Sequence, residues 1–216
     1  MSEDLRRRCA EARHIGTGPV SDAMEQLGLR RAVVTDWRYV NREPGTALVG
    51  TAYTVQQARK SASTPREANL TRQREASSKL AEAGDVVVID AYGNTGIGTW
   101  GENQSLMAQS RGVAGLVVHG SIRDHESIRQ SGFPVLCRGF SPVASRWDME
   151  TIAMNEPISI GGVPIRPGDV IYADGDGLIV IPKEDAVAVL ERAHELHQAE
   201  INAREKNFGP RTVPAA

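Results

Sequence analysis

Apolar residues change their spacing three times along the chain, and each change predicts a different architecture. Near the start, residues 4–13 carry an amphipathic helical pattern, and residues 16–19 break it. Ser21 or Asp22 is placed to cap a second helix running to Gln26, which Gly28 ends. Residues 46–56 then alternate, with Ala47, Val49, Thr51, Tyr53 and Val55 on one face of a strand. Residues 59–74 are polar and include Pro65; they predict a surface loop running into a helix over 76–81 that Gly84 stops.

From residue 84 the alternation gives way to short continuous apolar runs. Residues 86–89, 114–119 and 134–137 predict strands, and residues 102–110 and 124–130 predict the helices between them, stopped by Gly112 and Gly132. A β-α-β-α-β order with short links implies three parallel strands with right-handed crossovers, and unbroken apolar runs imply burial on both faces. A glycine-rich loop, 92–101, separates the first strand from its helix.

The last third changes again. Residues 158–160, 170–173 and 178–181 predict short strands divided by Gly161-Gly162, Pro167-Gly168 and the turn 174–177, a spacing suited to an antiparallel or barrel-like segment. Gly84-Asp85-Val86 is echoed by Gly168-Asp169-Val170, which suggests two similar turn-to-strand entries. A charged helix is expected over 183–206, followed by a loose tail over 208–216.

A length of 216 residues fits a single domain, with its core over about 15–182. The net charge of -2 argues against broad nucleic-acid or anionic-membrane binding. No apolar run reaches membrane-spanning length and the first residues are charged, so neither a membrane span nor a signal peptide is expected. Two cysteines, Cys9 and Cys137, give no disulfide framework or zinc cluster and fit a cytoplasmic protein.

In an open parallel sheet, ligands gather beyond the carboxyl ends of the strands. Two segments fall there: the glycine-rich loop ending in Trp100-Gly101-Glu102, and Gly120 through Asp124. The loop leads into a helix N-terminus, which suits a small carboxylate better than a nucleotide, because it matches neither G-x-G-x-x-G nor a P-loop; a merely flexible loop is the alternative. Arg123 offers a planar fork for a carboxylate, and Asp124 a hard oxygen for Mg²⁺ or Mn²⁺. The plainer alternative is that Asp124 caps the next helix and Arg123 forms a surface ion pair.

His119 reads as a core histidine with one hydrogen bond, His125 as a solvent-facing first-turn residue, and His194 and His197 as part of a solvated helix face. Asp174 and Asp176 read as turn formers. Cys137, inside an apolar strand, is a poor nucleophile.

Trp100-Gly101-Glu102 through Arg111 and on to Asp124, then 132–135 and 138–142, resembles the RraA-like family. Weaker matches lie at 20–23, 65–70, 84–90 and 167–182. That family includes class II aldolases of 4-hydroxy-4-methyl-2-oxoglutarate, which also decarboxylate oxaloacetate, and non-catalytic regulators of ribonuclease E. The resemblance implies an α/β fold of the swivelling β/β/α type, with a parallel βαβαβ core and a β-rich C-terminal part. It also implies a homotrimer or dimer of trimers with its active site between subunits. Arg123 matches the arginine that binds a pyruvyl carboxylate, Asp124 the metal-binding aspartate, and Glu102 an acidic residue near the metal and its waters. Gly101 and the amides of Asn103 and Gln104 match the pyruvyl-binding turn. Glu200 corresponds to an acidic residue supplied by a neighbouring subunit. Two departures stand out: Asn103-Gln104 where members often carry Leu-Leu, and His119-Gly120 where many carry Asp-Gly. The expected function is divalent-metal-dependent cleavage of a 4-hydroxy-2-oxo acid to pyruvate; the alternatives are ribonuclease E inhibition and a related lyase or hydratase.

Overall fold

A computed structural model describes residues 3–41 and 43–209. Two helices, α1 (Glu3–Ala12) and α2 (Thr17–Gln26), lead into β1 (Val33–Val34), β2 (Arg38–Asn41) and β3 (Leu48–Arg59). The middle of the chain is β4 (Asp85–Gly98), α3 (Glu102–Ser110), β5 (Gly115–Ile122), α4 (His125–Ser131) and β6 (Val135–Phe140). Then come β7 (Met149–Met154), β8 (Ile158–Ile160), β9 (Val163–Ile165), β10 (Val170–Ala173), β11 (Leu178–Ile181) and the long α5 (Ala186–Phe208).

Among the described residues, nine strands form one mixed sheet in the order β1-β11-β10-β3-β4-β5-β6-β2, with β7 also pairing on β3. The three strands β4 to β6 are parallel, as the apolar runs predict; β3 joins them as a fourth parallel strand that the sequence did not place there, and β10, β11, β2 and β7 join antiparallel. Strand β3 therefore has three partners: β10 beside its start, β4 beside its middle and β7 beside its end.

The pleat sorts the core into layers. Val49 of β3 packs with α1, α2 and α5, while Val55, Val87, Ile89, Leu116, Val118 and Val135 pack beneath α3 and α4. Alternate residues, Leu48, Ala52, Val86, Val88, Val117 and Leu136, face the other way onto the β8–β9 hairpin. Helices on one face and a hairpin on the other give an α/β/β stack, the class implied by the resemblance. The alternation in 46–56 is real in direction, but both sides are covered, so Leu48 and Ala52 are as buried as Val49.

Several expectations need correction. The second helix starts at Thr17, not beyond Ser21. Pro19 fits its first turn, where a missing N–H costs nothing, and the carboxylate of Asp174 accepts the Thr17 amide and hydroxyl, each at 2.8 Å. Asp174 also accepts the Asp176 amide, so it forms its turn and caps α2 as well. Of the two arrangements expected for the C-terminal strands, the antiparallel one is found and the barrel-like one is not; β10 and β11 extend the main sheet through β3, and β8 pairs with β9. Most of the glycine-rich segment is not a loop. It stays beside β5 as the far end of β4, with irregular register at Asn94 and Gly98. The expected helix at 76–81 is a single wide turn, Ala76–Leu80. The tail over 210–216 and the first two residues lie outside the described residues. No helix among those described is long and apolar enough to cross a membrane.

The sequence echo corresponds to one repeated turn. Asp85 accepts the Glu82 amide at 2.8 Å and Asp169 the Arg166 amide at 2.7 Å, each three residues back. The two turns open β4 and β10, and both strands pair at Thr51 of β3, from opposite sides.

Candidate active site

The two segments expected to share a cleft do so because β4 and β5 are neighbours. Backbone hydrogen bonds lace three chain segments just past the strand ends. The Thr99 amide donates to Ser121 O, Arg123 N to Trp100 O, Ser141 N to Ile122 O, and Gly98 N to Val143 O, all within 2.7–2.9 Å. Trp100 is buried, and its indole N–H donates to Ser105 Oγ at 2.9 Å, which pins the turn into α3.

Arg123 and Asp124 follow β5 and stand beside Gly101. Arg123 Nε lies 3.4 Å from Asp124 Oδ2, and the Glu102 amide approaches the same oxygen at 3.4 Å. Glycine at 101 leaves the pair its place, since a Cβ there would fall 2.7 Å from Asp124 Oδ2 and 3.2 Å from Arg123 Cγ and would displace them. Asp124 occupies the N-cap position of α4 but adopts left-handed backbone angles, φ 56° and ψ 35°, and its side chain makes no capping bond. The capping alternative is therefore overturned. A non-glycine residue in that conformation is uncommon, and here it leaves the carboxylate with only long contacts.

These groups line a cleft of about 450 Å³, a size suited to a small metabolite. Gly101, Asn103, Gln104, Arg123 and Asp124 line it; Glu102 does not, although its amide reaches Asp124. Arg74, Lys79 and Arg146 join Arg123 against Glu75 and Asp124, so cationic side chains outnumber anionic ones and an anion is favoured. The first amides of α3 have no acceptor within the helix, which adds positive potential at the same place. Glu200 is exposed on α5 and does not line the cleft of its own chain.

The opposite wall comes from residues given no role by sequence, 69–79 and 144–146. Gln73 is 2% exposed and donates to Thr99 O at 3.0 Å and Ser145 Oγ at 3.3 Å. Thr99 Oγ1 in turn donates to Gln57 Oε1 on β3. A polar run such as 69–79 reads locally as solvated surface; its family-like match at 65–70 was the one signal that it mattered.

No group of three or more His, Cys, Asp or Glu among the described residues could cage a metal ion. A lone hard carboxylate with free lone pairs on a cleft rim suits an ion that keeps most of its water, as Mg²⁺ and Mn²⁺ do. Asp124 meets that description, so the donor set fits the expected ion.

The remaining candidates are structural. His119 Nδ1 lies 2.7 Å from buried Asp90, which also accepts the Tyr92 amide and a Gln56 N–H, so the single-bond expectation holds. His125 is not purely solvent-facing; its ring stacks on Phe140 at 4.2 Å. Burial pushes the Cys137 thiol up to about 12 and the Cys9 thiol to about 11, which removes both as nucleophiles near neutral pH.

Comparison with known proteins gives one consistent family. A family model described as Aldolase/RraA, RraA-like, matches residues 17–180. A Halalkalibacterium halodurans protein named "Putative 4-hydroxy-4-methyl-2-oxoglutarate aldolase" is 45% identical over 126 residues, 58% of this chain and 59% of that one. The Thermus thermophilus 4-hydroxy-4-methyl-2-oxoglutarate aldolase is 33% identical over 101 residues, 47% of this chain and 61% of that one. The chain thus spans about three fifths of the length of these curated relatives. Among solved structures, Streptomyces coelicolor RraAS2, described as an unusual member of the RNase ES inhibitor RraA family, superposes with a TM-score of 0.79 at 28% identity, covering 94% of this chain and 97% of that one.

Proposed function

Since the chain belongs to the RraA-like family, we propose that it is a lyase that cleaves a 4-hydroxy-2-oxo acid to pyruvate by retro-aldol chemistry. The observation that carries this reading is the pair Arg123–Asp124, held 3.4 Å apart against Gly101, with neither side chain used to cap a helix. The aldolase names of the curated relatives support it.

In this reading Arg123 grips the substrate carboxylate with its fork, and the amides of Asn103 and Gln104 at the start of α3 hold the same pyruvyl end. Asp124 would hold Mg²⁺ or Mn²⁺, which when bound supplies Lewis acidity at the 2-oxo oxygen. Positive charge from Arg123 and the helix start favours the enolate that develops as the C3–C4 bond breaks. The proton of the 4-hydroxyl leaves through a water oriented by Glu102 or by Glu200, and C3 is reprotonated to give pyruvate. Glu200, outside the cleft of its own chain, can take that role only from a second copy, as in the trimer or dimer of trimers expected for the family. Oxaloacetate decarboxylation needs the same enolate and would share the site.

The test is pyruvate release from 4-hydroxy-4-methyl-2-oxoglutarate and oxaloacetate with Mg²⁺ or Mn²⁺ present. Activity should vanish in Arg123→Ala and in EDTA, and return on adding metal to the EDTA-treated protein. Undiminished release after either treatment would refute the mechanism. A second reading, inhibition of a ribonuclease by docking, is favoured by the likeness to RraAS2. It predicts co-purification with ribonuclease E and no pyruvate release.

A further inference from the structure

The cleft holds more positive charge than one pyruvyl carboxylate balances. Arg123 accounts for that carboxylate. On the opposite wall Glu75 is shared between Arg72 at 3.3 Å and Lys79 at 3.9 Å. Arg74 and Arg146 line the same cleft, and among the described residues neither has a carboxylate within 4.0 Å. Arg146 rests only against the ring of Trp147, 5.5 Å from its centre.

Two local features gather these cations. Gln73 donates to Ser145 Oγ at 3.3 Å, which ties two separate wall segments at the residues just before Arg74 and Arg146. Beyond Arg74 the chain makes the wide turn Ala76–Leu80, closed by the Ala81 amide on Ala76 O at 3.1 Å. Hydrogen bonding five residues apart sets Lys79 one such turn beyond Arg74, where an ordinary helix would carry it round to another side. A single wide turn of this kind is rare and is found frequently at functional sites.

The charge decides the class of ligand. A neutral chain would leave all three cations of this wall uncompensated. A carboxylate carries one negative charge and balances one guanidinium, as at Arg123. A phosphate monoester carries nearly two at neutral pH and presents three acceptor oxygens, which suit two forked donors. With Lys79 partly countered by Glu75, the two remaining guanidinium groups match a phosphate.

We infer that Arg74 and Arg146 bind a phosphate group, so that the substrate is a phosphorylated 4-hydroxy-2-oxo acid and not a plain dicarboxylate. The C3–C4 bond breaks, the 4-hydroxyl loses its proton and becomes the carbonyl of a phosphorylated aldehyde, and C3 takes a proton to give pyruvate. The phosphate ester stays intact. This inference rests on the lyase reading above, and makes Arg74 and Arg146 the specificity residues of that site.

The experiment compares kcat/KM for pyruvate release, with Mg²⁺ or Mn²⁺, on three compounds that share the pyruvyl half: 4-hydroxy-5-phosphooxy-2-oxopentanoate, 4-hydroxy-2-oxoglutarate and 4-hydroxy-2-oxopentanoate. They carry a phosphorylated, a carboxylated and an uncharged group on C4. The phosphorylated acid should exceed the other two by at least about tenfold, the scale of one charge-assisted hydrogen bond. Arg74→Gln and Arg146→Gln should each lower the ratio between the phosphorylated and uncharged acids about fivefold or more, and the double variant about tenfold or more. Melting curves establish that each variant is folded. A wild-type preference for the carboxylated or the uncharged acid, or variants that leave the ratio unmoved, would overturn the inference while leaving the lyase intact. So would release from 4-hydroxy-4-methyl-2-oxoglutarate but from none of the three. No pyruvate from any of the four would overturn the lyase reading and this inference together.

Discussion

Asp85 and Asp169 open β4 and β10 on either side of β3, whereas Asp124 sits just past the end of β5. The first two have their oxygens engaged. Asp85 takes the Glu82 amide and the Thr51 hydroxyl, and Asp169, 2% exposed, takes the amides of Arg166 and Lys183. Asp124 has the same side chain at a comparable turn, yet its nearest polar contacts are both 3.4 Å long. Where β4 and β10 open beside Thr51 of β3, carboxylates hold the chain in shape. Past the end of β5, one is held in an uncommon backbone conformation with only these two long contacts, which is how a fold prepares a group for a ligand.

The comparison breaks if the two classes of aspartate behave alike. Asp124→Ala should lower pyruvate release by at least ~100-fold and leave the melting temperature almost unchanged, since a side chain 39% exposed and free of capping bonds supports little structure. Steady-state assays and thermal melts on the same preparation check both halves. Unfolding of Asp124→Ala, or full activity in it, would remove the distinction.

Gly101→Ala sharpens the same point from the other side of the cleft. The backbone at 101, φ -150° and ψ -177°, accepts alanine, so the protein should fold. The added methyl would sit 2.7 Å from Asp124 Oδ2 and push it away from Arg123. Displacement of a reacting group by about 1 Å can cost ~10²-fold, so a loss of roughly ten- to a hundredfold in kcat/KM is expected, with melting temperature kept.

How far this division was legible in the sequence depends on how local its causes are. Helix α3 was readable to the residue, because Gly101 and Gly112 bracket it and its length suits one pass along the sheet. The parallel strands β4 to β6 were readable from their apolar runs, and Arg123-Asp124 from its place past the second of them. Strands β1, β2 and β7 were not, since each is short and owes its existence to a distant partner: Val33 to Ile179, Tyr39 to Leu136, Met149 to Arg59. The wall at 69–79 was missed for the same reason. Gln73 looks like any surface glutamine until Thr99 and Ser145 close over it, and only tertiary contact does that.

Asp169→Ala should show the converse of Asp124→Ala. Two amides would lose a buried acceptor, at a cost of about 1–3 kcal/mol, or a melting temperature lower by several degrees for a protein of this size. Activity per folded molecule should stay near wild type. A large loss of activity without loss of stability would place Asp169 in the chemistry and erase the contrast between the two ends of the sheet.

The smallest expected effect concerns acids that lie away from the cleft. Burial pushes the thiols of Cys9 and Cys137 up to about 11 and about 12 from an ordinary value of 9.0, and raises the Tyr172 hydroxyl well above its usual 10.0. Tyr172 is fully buried beneath the end of α1 and donates to Ala12 O. Each of these groups keeps its proton longer in the folded chain than in the unfolded one. Above pH 9 the unfolded state therefore binds fewer protons, and stability falls as pH rises. The contribution is complete below pH 9 and is lost progressively between about 9 and 12, at about 1 kcal/mol per thiol by pH 10. Urea unfolding at pH 8 and pH 10 should show that decline, and Cys9→Ala with Cys137→Ala should flatten most of it. The slope comes from these buried acids, so it should not depend on which end of the sheet has been altered. A slope that changed with Asp124→Ala would show that the two ends are coupled, which the separate use of their aspartates argues against.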